Sequence, residues 1–199
     1  MKRFQTVGRV FAFCAFAAFA NPVFSAPITY IYEGTGTGIL GAQAFNNAAF
    51  TITAQADTAN ITPWVNAGGG PQNTHLSTTI AITGLGLFDV TTPSHTWLAQ
   101  NCCGGLGANL SSNWITLGEL AFVGIGYGLD TALGPILDNS PSDVSQFVGV
   151  DTSGGILDFD SINAVTFTAS TDSVPEPGTL SVVGAGILGL FLFRTRRRL

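Results

Sequence analysis

Between Arg9 and Arg194 the chain contains no lysine and no arginine. Its seven basic residues form two terminal clusters: Lys2, Arg3 and Arg9, then Arg194, Arg196, Arg197 and Arg198. All twelve acids lie between Glu33 and Glu176, so the formal net charge of −5 conceals an interior segment of −12. This excludes nucleic-acid binding, which needs cations to neutralise phosphate. It also excludes recognition of anions by Lys or Arg. Each carboxylate here must be solvated, hydrogen-bonded, matched by histidine or matched by a bound cation.

Chemistry-bearing residues are scarce too. Of three cysteines, Cys14 lies in the leader described below, leaving only the adjacent Cys102 and Cys103. Neighbouring Cα atoms are about 3.8 Å apart, below the usual ~4.4–6.8 Å disulfide range. A strained vicinal disulfide eased by Gly104-Gly105, intermolecular links and a reduced pair all remain open. The CxxC spacing of a metal or redox pair is missing. His75 and His95 are expected in loops, with no HExxH or HxxxH pattern to make them metal ligands. No G-x-S-x-G elbow occurs. Asp158 and Asp160 share one face of an expected strand, whereas a glycosidase normally draws its two acids from separate elements. Trp64, Trp97 and Trp114 could stack on sugars, although tryptophan more often fills a core. On these grounds the domain is expected to be non-enzymatic.

Long apolar runs are also few. Val10–Ala20 follows Lys2, Arg3 and Arg9 and reads as the core of a secretory signal peptide over residues 1–25. Cleavage is expected between Ser25 and Ala26, with Val23 and Ser25 at the −3 and −1 positions, after passage through the Sec machinery. Near the other end, Leu180–Phe193 is uncharged over fourteen residues. As a helix it would span roughly 21 Å, short of the ~30 Å hydrocarbon core, so it is a marginal anchor. The arginines behind it place the C-terminus on the cytoplasmic side. Before it stands Val174-Pro175-Glu176-Pro177, whose prolines keep the backbone extended and accessible to a processing enzyme.

Pro-Glu-Pro, a short apolar helix and a terminal arginine cluster together resemble the PEP-CTERM sorting signal of Gram-negative bacteria. The resemblance covers 174–199: the motif at 174–177, the membrane helix at 178–193 and the basic tail at 194–199. It implies recognition by an exosortase, an integral membrane enzyme acting near the Pro-Glu-Pro, after transient anchoring in the inner membrane. It further implies delivery to the cell surface or an extracellular matrix, with exopolysaccharide or biofilm as the setting. The stretch "YIYEGTGTGILG" also resembles ectodomains of other PEP-CTERM proteins and supplies no catalytic residues.

Residues 26–173 remain as one ectodomain. Period-two alternation recurs in Phe50–Asp57, Thr79–Thr83 and Val165–Ser170, with further strands expected at Ile28–Tyr32, Trp114–Ile125, Phe147–Val150 and Ile156–Phe159. Gly84 and Gly86 suggest a bulge before Leu87-Phe88. Turn-rich stretches separate the strands, notably Asn66–Asn73 and Asp138–Asp143. The expected fold is mainly β, an antiparallel sandwich or jelly-roll-like domain flanked by the signal peptide and one hydrophobic helix. Two functional classes follow: a non-enzymatic surface or matrix protein, or a secreted carbohydrate-binding or carbohydrate-active one. No cofactor is expected except Ca²⁺, for which Asp138 and Asp143 are the first candidate ligands, because oxygen-only donors in a turn suit that ion.

Overall fold

The computed structural model describes residues 25–64, 69–99, 103–108, 113–117, 126–139, 141, 144 and 147–171. Among these residues ten strands run in chain order as β1 (Pro27–Leu40), β2 (Gln43–Trp64), β3 (Gly70–Ile82), β4 (Gly86–Asp89) and β5 (Ser94–Ala99). They continue as β6 (Cys103–Ala108), β7 (Asn113–Leu117), β8 (Leu133–Asp138), β9 (Val150–Thr152) and β10 (Gly155–Thr171). Every pairing between them is antiparallel. They form one sheet in the order β7-β6-β5-β3-β2-β1-β10-β8, with β4 added to β3 and β9 to β10. The fold is thus mainly β, as the alternation implies. One curled sheet, rather than the two sheets of a sandwich, encloses the core.

The curl follows from the inward faces. Tyr30 and Tyr32 of β1, Ile52 and Ala54 of β2, Ile80 and Ile82 of β3, and Val165, Phe167 and Ala169 of β10 belong to one buried cluster. Leu106 of β6 and Ile115 of β7 belong to the same cluster. They can do so only if the β5–β7 end folds back over β1. Three strands separate β1 from β6 in the sheet, yet Tyr32 Oη donates to Gly105 O at 3.4 Å across the curl. Register shifts in β1 opposite both neighbours assist the bend.

The alternating glycines of β1 have a packing reason. A Cβ on Gly34 would lie 2.4 Å from the Ala164 carbonyl oxygen and 2.9 Å from the Phe50 ring. At Gly38 it would meet the Asp158 carbonyl and the Phe45 ring. The strand gives up side chains there so that aromatic rings from β2 can lie over its backbone.

Several local expectations are corrected. Gly84 and Gly86, both at positive φ, make the β3–β4 hairpin turn closed by Leu85 N to Ile82 O at 3.0 Å, and not a bulge. The turn-rich Asn66–Asn73 stretch gives up Gly70–Asn73 to β3, because each of these pairs with β2. Phe147 lies before β9, which begins at Val150, and is buried beside Phe159. The expected Trp114–Ile125 strand is observed as β7, ending at Leu117, and 118–125 lie outside the described residues. So do the expected signal peptide up to residue 24 and the whole of 172–199, including Val174–Pro177, the expected helix at 178–193 and the four arginines.

Candidate functional site

Among the described residues, a dense group of chemistry-bearing side chains lies inside the curl, where β3 parts from β2 to pair with β5. Here Ala56 pairs with His75 and Ile61 with Asn73, so β2 carries extra residues that bulge outward while β3 turns toward β5. His75 and His95 therefore sit on strands, not in loops as the sequence suggests. Their neighbours Asn73, Thr78, Ser94 and Thr96 are all buried. Hydroxyls replace hydrocarbon on this stretch of inward face, and burial is tolerable because they bond to one another.

His75 is the hub. Its Nδ1 is 2.9 Å from Ser94 Oγ and 3.2 Å from Thr78 Oγ1, and its Nε2 is 2.9 Å from Thr96 Oγ1. Thr78 and Ser94 bond each other at 2.7 Å, and Thr96 bonds Tyr32 Oη at 2.8 Å. Alongside, Asn73 Nδ2 donates to Tyr30 Oη at 2.9 Å, and Tyr30 Oη donates to Leu129 O at 2.7 Å. Leu129 is fully buried at φ 64, a left-handed conformation a leucine adopts only when its surroundings impose it. Asn73 Oδ1 has no hydrogen-bond partner among the described residues.

Burial makes every titratable group here neutral. It is the first cause holding His75 at about 3, the neighbouring His95 being the second. Burial alone holds His95 at about 4. The Tyr30 and Tyr32 phenols are pushed well above their ordinary range, again chiefly by burial. His75 keeps some exposed surface as a residue, but its ring nitrogens are both occupied by hydroxyls, which supports the downward direction. The His95 ring lies against β6, and a Cβ on Gly107 would come within 2.5 Å of it.

A serine 2.9 Å from an imidazole has the distance of a nucleophile–base pair. The surroundings suit it poorly. The far ring nitrogen meets a threonine hydroxyl where a carboxylate would stabilise an imidazolium, and a base held near 3 is weak at neutral pH. Ser94 is itself only 6% exposed. The arrangement serves as a polar clamp between β1, β3 and β5.

The remaining expected sites are dispersed. Trp64 and Trp97 pack against each other, with ring centroids 4.5 Å apart and planes tilted by 38°, and are buried with Ala99. Both indoles are more than nine-tenths buried; the side chain of Trp114 lies outside the described residues. One open cleft of about 450 Å³ borders Trp64, between Ile61–Trp64 and Gly69–Pro71. Cys103 opens β6 and is disulfide-bonded; Cys102 lies outside the described residues. Asp138 ends β8 opposite Val165, and its expected companion Asp143 lies outside the described residues. Among the described residues no three His, Cys, Asp or Glu side chains gather as a metal site. Asp158 accepts from Gly149 N at 2.5 Å, so one carboxylate of the Asp158/Asp160 pair already serves a loop.

Ser25 and Ala26, the expected leader junction, are placed. Ser25 Oγ donates to Asp57 Oδ2, Ala26 N donates to Thr58 Oγ1 at 3.1 Å, and Thr58 N donates to Ala26 O at 3.0 Å.

Residues 173–198 match the family model of the PEP-CTERM protein-sorting motif. No curated protein and no solved structure matches the chain. The motif indicates an exported protein sorted and processed by exosortase.

Proposed function

We propose that this exosortase-sorted protein is a non-enzymatic component of the cell surface or extracellular matrix whose β-domain contacts neutral polysaccharide. The sorting motif at 173–198 carries the reading. The chemistry of the domain supports it, because the histidines and their serine and threonine neighbours bond among themselves inside the curl. What faces outward on the central strands is a hydroxyl lattice. Thr168, Ile31, Thr53 and Thr79 are in register across β10, β1, β2 and β3, and Thr166, Glu33 and Thr51 form the next row. Rows of this kind repeat about every 4.8 Å from strand to strand, offering donors, acceptors and methyl groups to a glycan chain without any cation.

The tail acts in this reading as a transient inner-membrane anchor that the exosortase removes, after which the domain reaches the surface. The test is to challenge the purified exported protein with a glycan panel and measure retention and turnover. Retention of a neutral polysaccharide without cleavage, weakened by Thr53→Val/Thr79→Val, is expected. Turnover of any glycan would assign the domain to the carbohydrate-active class, and no retention on any member would remove the polysaccharide contact.

A further inference from the structure

β1 begins where the expected leader ends, and its first residues are held by the outward bulge of β2. Pro27 pairs with Asp57, the first of the β2 residues between Ala56 and Ile61, which have no partner on β3. Ala26 extends the ladder by one residue, since its N–H reaches Thr58 Oγ1 and its carbonyl accepts from Thr58 N. Asp57 turns one carboxylate oxygen to Ser25 Oγ and the other to Ala59 N at 2.7 Å. The Ser25 hydroxyl first, and the Ala59 amide second, hold its carboxyl below the usual range, so it is ionised. A hydroxyl acceptor thus holds the Ala26 nitrogen and an anion holds the residue before it, in a segment without lysine or arginine.

We propose that cleavage between Ser25 and Ala26 creates the ectodomain's one fixed cation, the Ala26 α-ammonium, and that Asp57 and Thr58 are its docking site. The proposal rests on export through a cleaved leader. Hydrolysis of the Ser25–Ala26 amide consumes one water, leaves a carboxylate on Ser25 and puts the proton on the Ala26 amine. Ser25 departs with the leader and takes its hydroxyl off Asp57 Oδ2. The ammonium now has three N–H donors where the amide had one. One keeps Thr58 Oγ1, and the others face the oxygen that Ser25 vacated. A cut one residue later would take the Ala26 carbonyl from Thr58 N and break the first rung of the β1–β2 ladder. The ladder therefore selects the Ser25–Ala26 bond as the boundary of the folded domain. At this end of β1 the neighbour on the other side is Thr171 of β10, opposite Ile28; Asp172 follows it outside the described residues.

The sequence supplies an unusually clean assay. Lys2 is the only lysine and leaves with the leader, so the α-amine becomes the only primary amine in the chain. The full-length gene product is exported with its own leader, purified, sequenced from its N-terminus and acylated with an amine-reactive ester over a range of pH. Expected is a chain beginning at Ala26 whose amine titrates at least about half a unit above the ordinary ~7.7–8.0. Asp57→Asn should return it to that range and speed acylation at pH 7 about threefold, while Asp57→Glu should keep the shift. Should Asp57→Asn fail to fold, 1 M NaCl on the unaltered protein should remove the shift by screening. A chain that retains its leader refutes the processing step beneath the proposal. An Ala26 start with no shift, or with one that neither Asp57→Asn nor salt alters, refutes the docking alone. A start at Pro27 refutes the boundary.

Discussion

Acidification below pH 6.5 should destabilise this protein, because two histidines are buried neutral. Unfolded, each imidazole takes up a proton near 6.5; folded, His95 waits until about 4 and His75 until about 3. Below 6.5 the unfolded state therefore binds more protons than the native state, and stability falls as pH falls. The contribution is complete above pH 6.5 and is lost progressively down to the folded values. At pH 4.5 the unfolded His95 ring is two units below its titration point, which at ~1.36 kcal/mol per unit costs the native state about 2–3 kcal/mol. His75 adds less than its larger shift implies, since part of the residue remains in solvent. About 3–4 kcal/mol together is a large share of the ~5–15 kcal/mol of a typical domain. Protonation of the crowded acids works in the opposite direction by relieving repulsion, so comparison with a variant is required. Urea denaturation of the exported protein and of His95→Gln at pH 7 and 4.5 isolates the imidazole. His95→Gln is expected to be less stable at pH 7 but to lose about 2 kcal/mol less on acidification. Equal losses, or a His95 Cε1 proton titrating near 6.5 by NMR, would refute the reasoning.

Three further outcomes are expected. Gly34→Ala should cost about 1–3 kcal/mol, read as a lower urea midpoint with unchanged slope, because the new methyl meets the Ala164 carbonyl and the Phe50 ring; an unchanged midpoint would show that β1 is not crowded. Intact-mass analysis of surface material should find the chain without Leu180–Leu199, and the full C-terminus on mature protein would contradict removal of the tail. In a melt of the exported protein, millimolar CaCl₂ should raise Tm no more than NaCl of matched ionic strength if the acids form only a charged surface. A larger Ca²⁺ shift, abolished in Asp138→Asn/Asp143→Asn, would instead establish a cation site.

The legible parts of the fold were those fixed by local pattern. Phe50, Ile52, Ala54 and Ala56 alternate with Thr51, Thr53 and Gln55, and the structure buries the first set while leaving the second more accessible. That period is a property of the strand itself and needs no partner to be read. The histidines were misplaced for the complementary reason. Turn-forming residues crowd Asn66–Asn73 and Thr91–Ser94, and local propensity carries no information about a second strand arriving at Gln72–Thr74 from β5. Nor could it distinguish Trp64 and Trp97 as platforms from the same residues packed against each other.

The sequence by itself determined the route and the charge. Terminal basic clusters, a cation-free interior and Pro-Glu-Pro before a short apolar run are linear signals, read by machinery that meets an extended chain. Tertiary structure decided how polar side chains are spent. Only the curl of the sheet, which lays β5 and β6 over β1, turns His75, Ser94, Thr96 and Tyr32 into one buried network. Only the β1–β2 ladder sets Asp57 and Thr58 beside Ser25 and Ala26. Both depend on contacts between residues some thirty to sixty positions apart, and such contacts exist only once burial of the shared aromatic core has offset the entropy of closing the intervening chain.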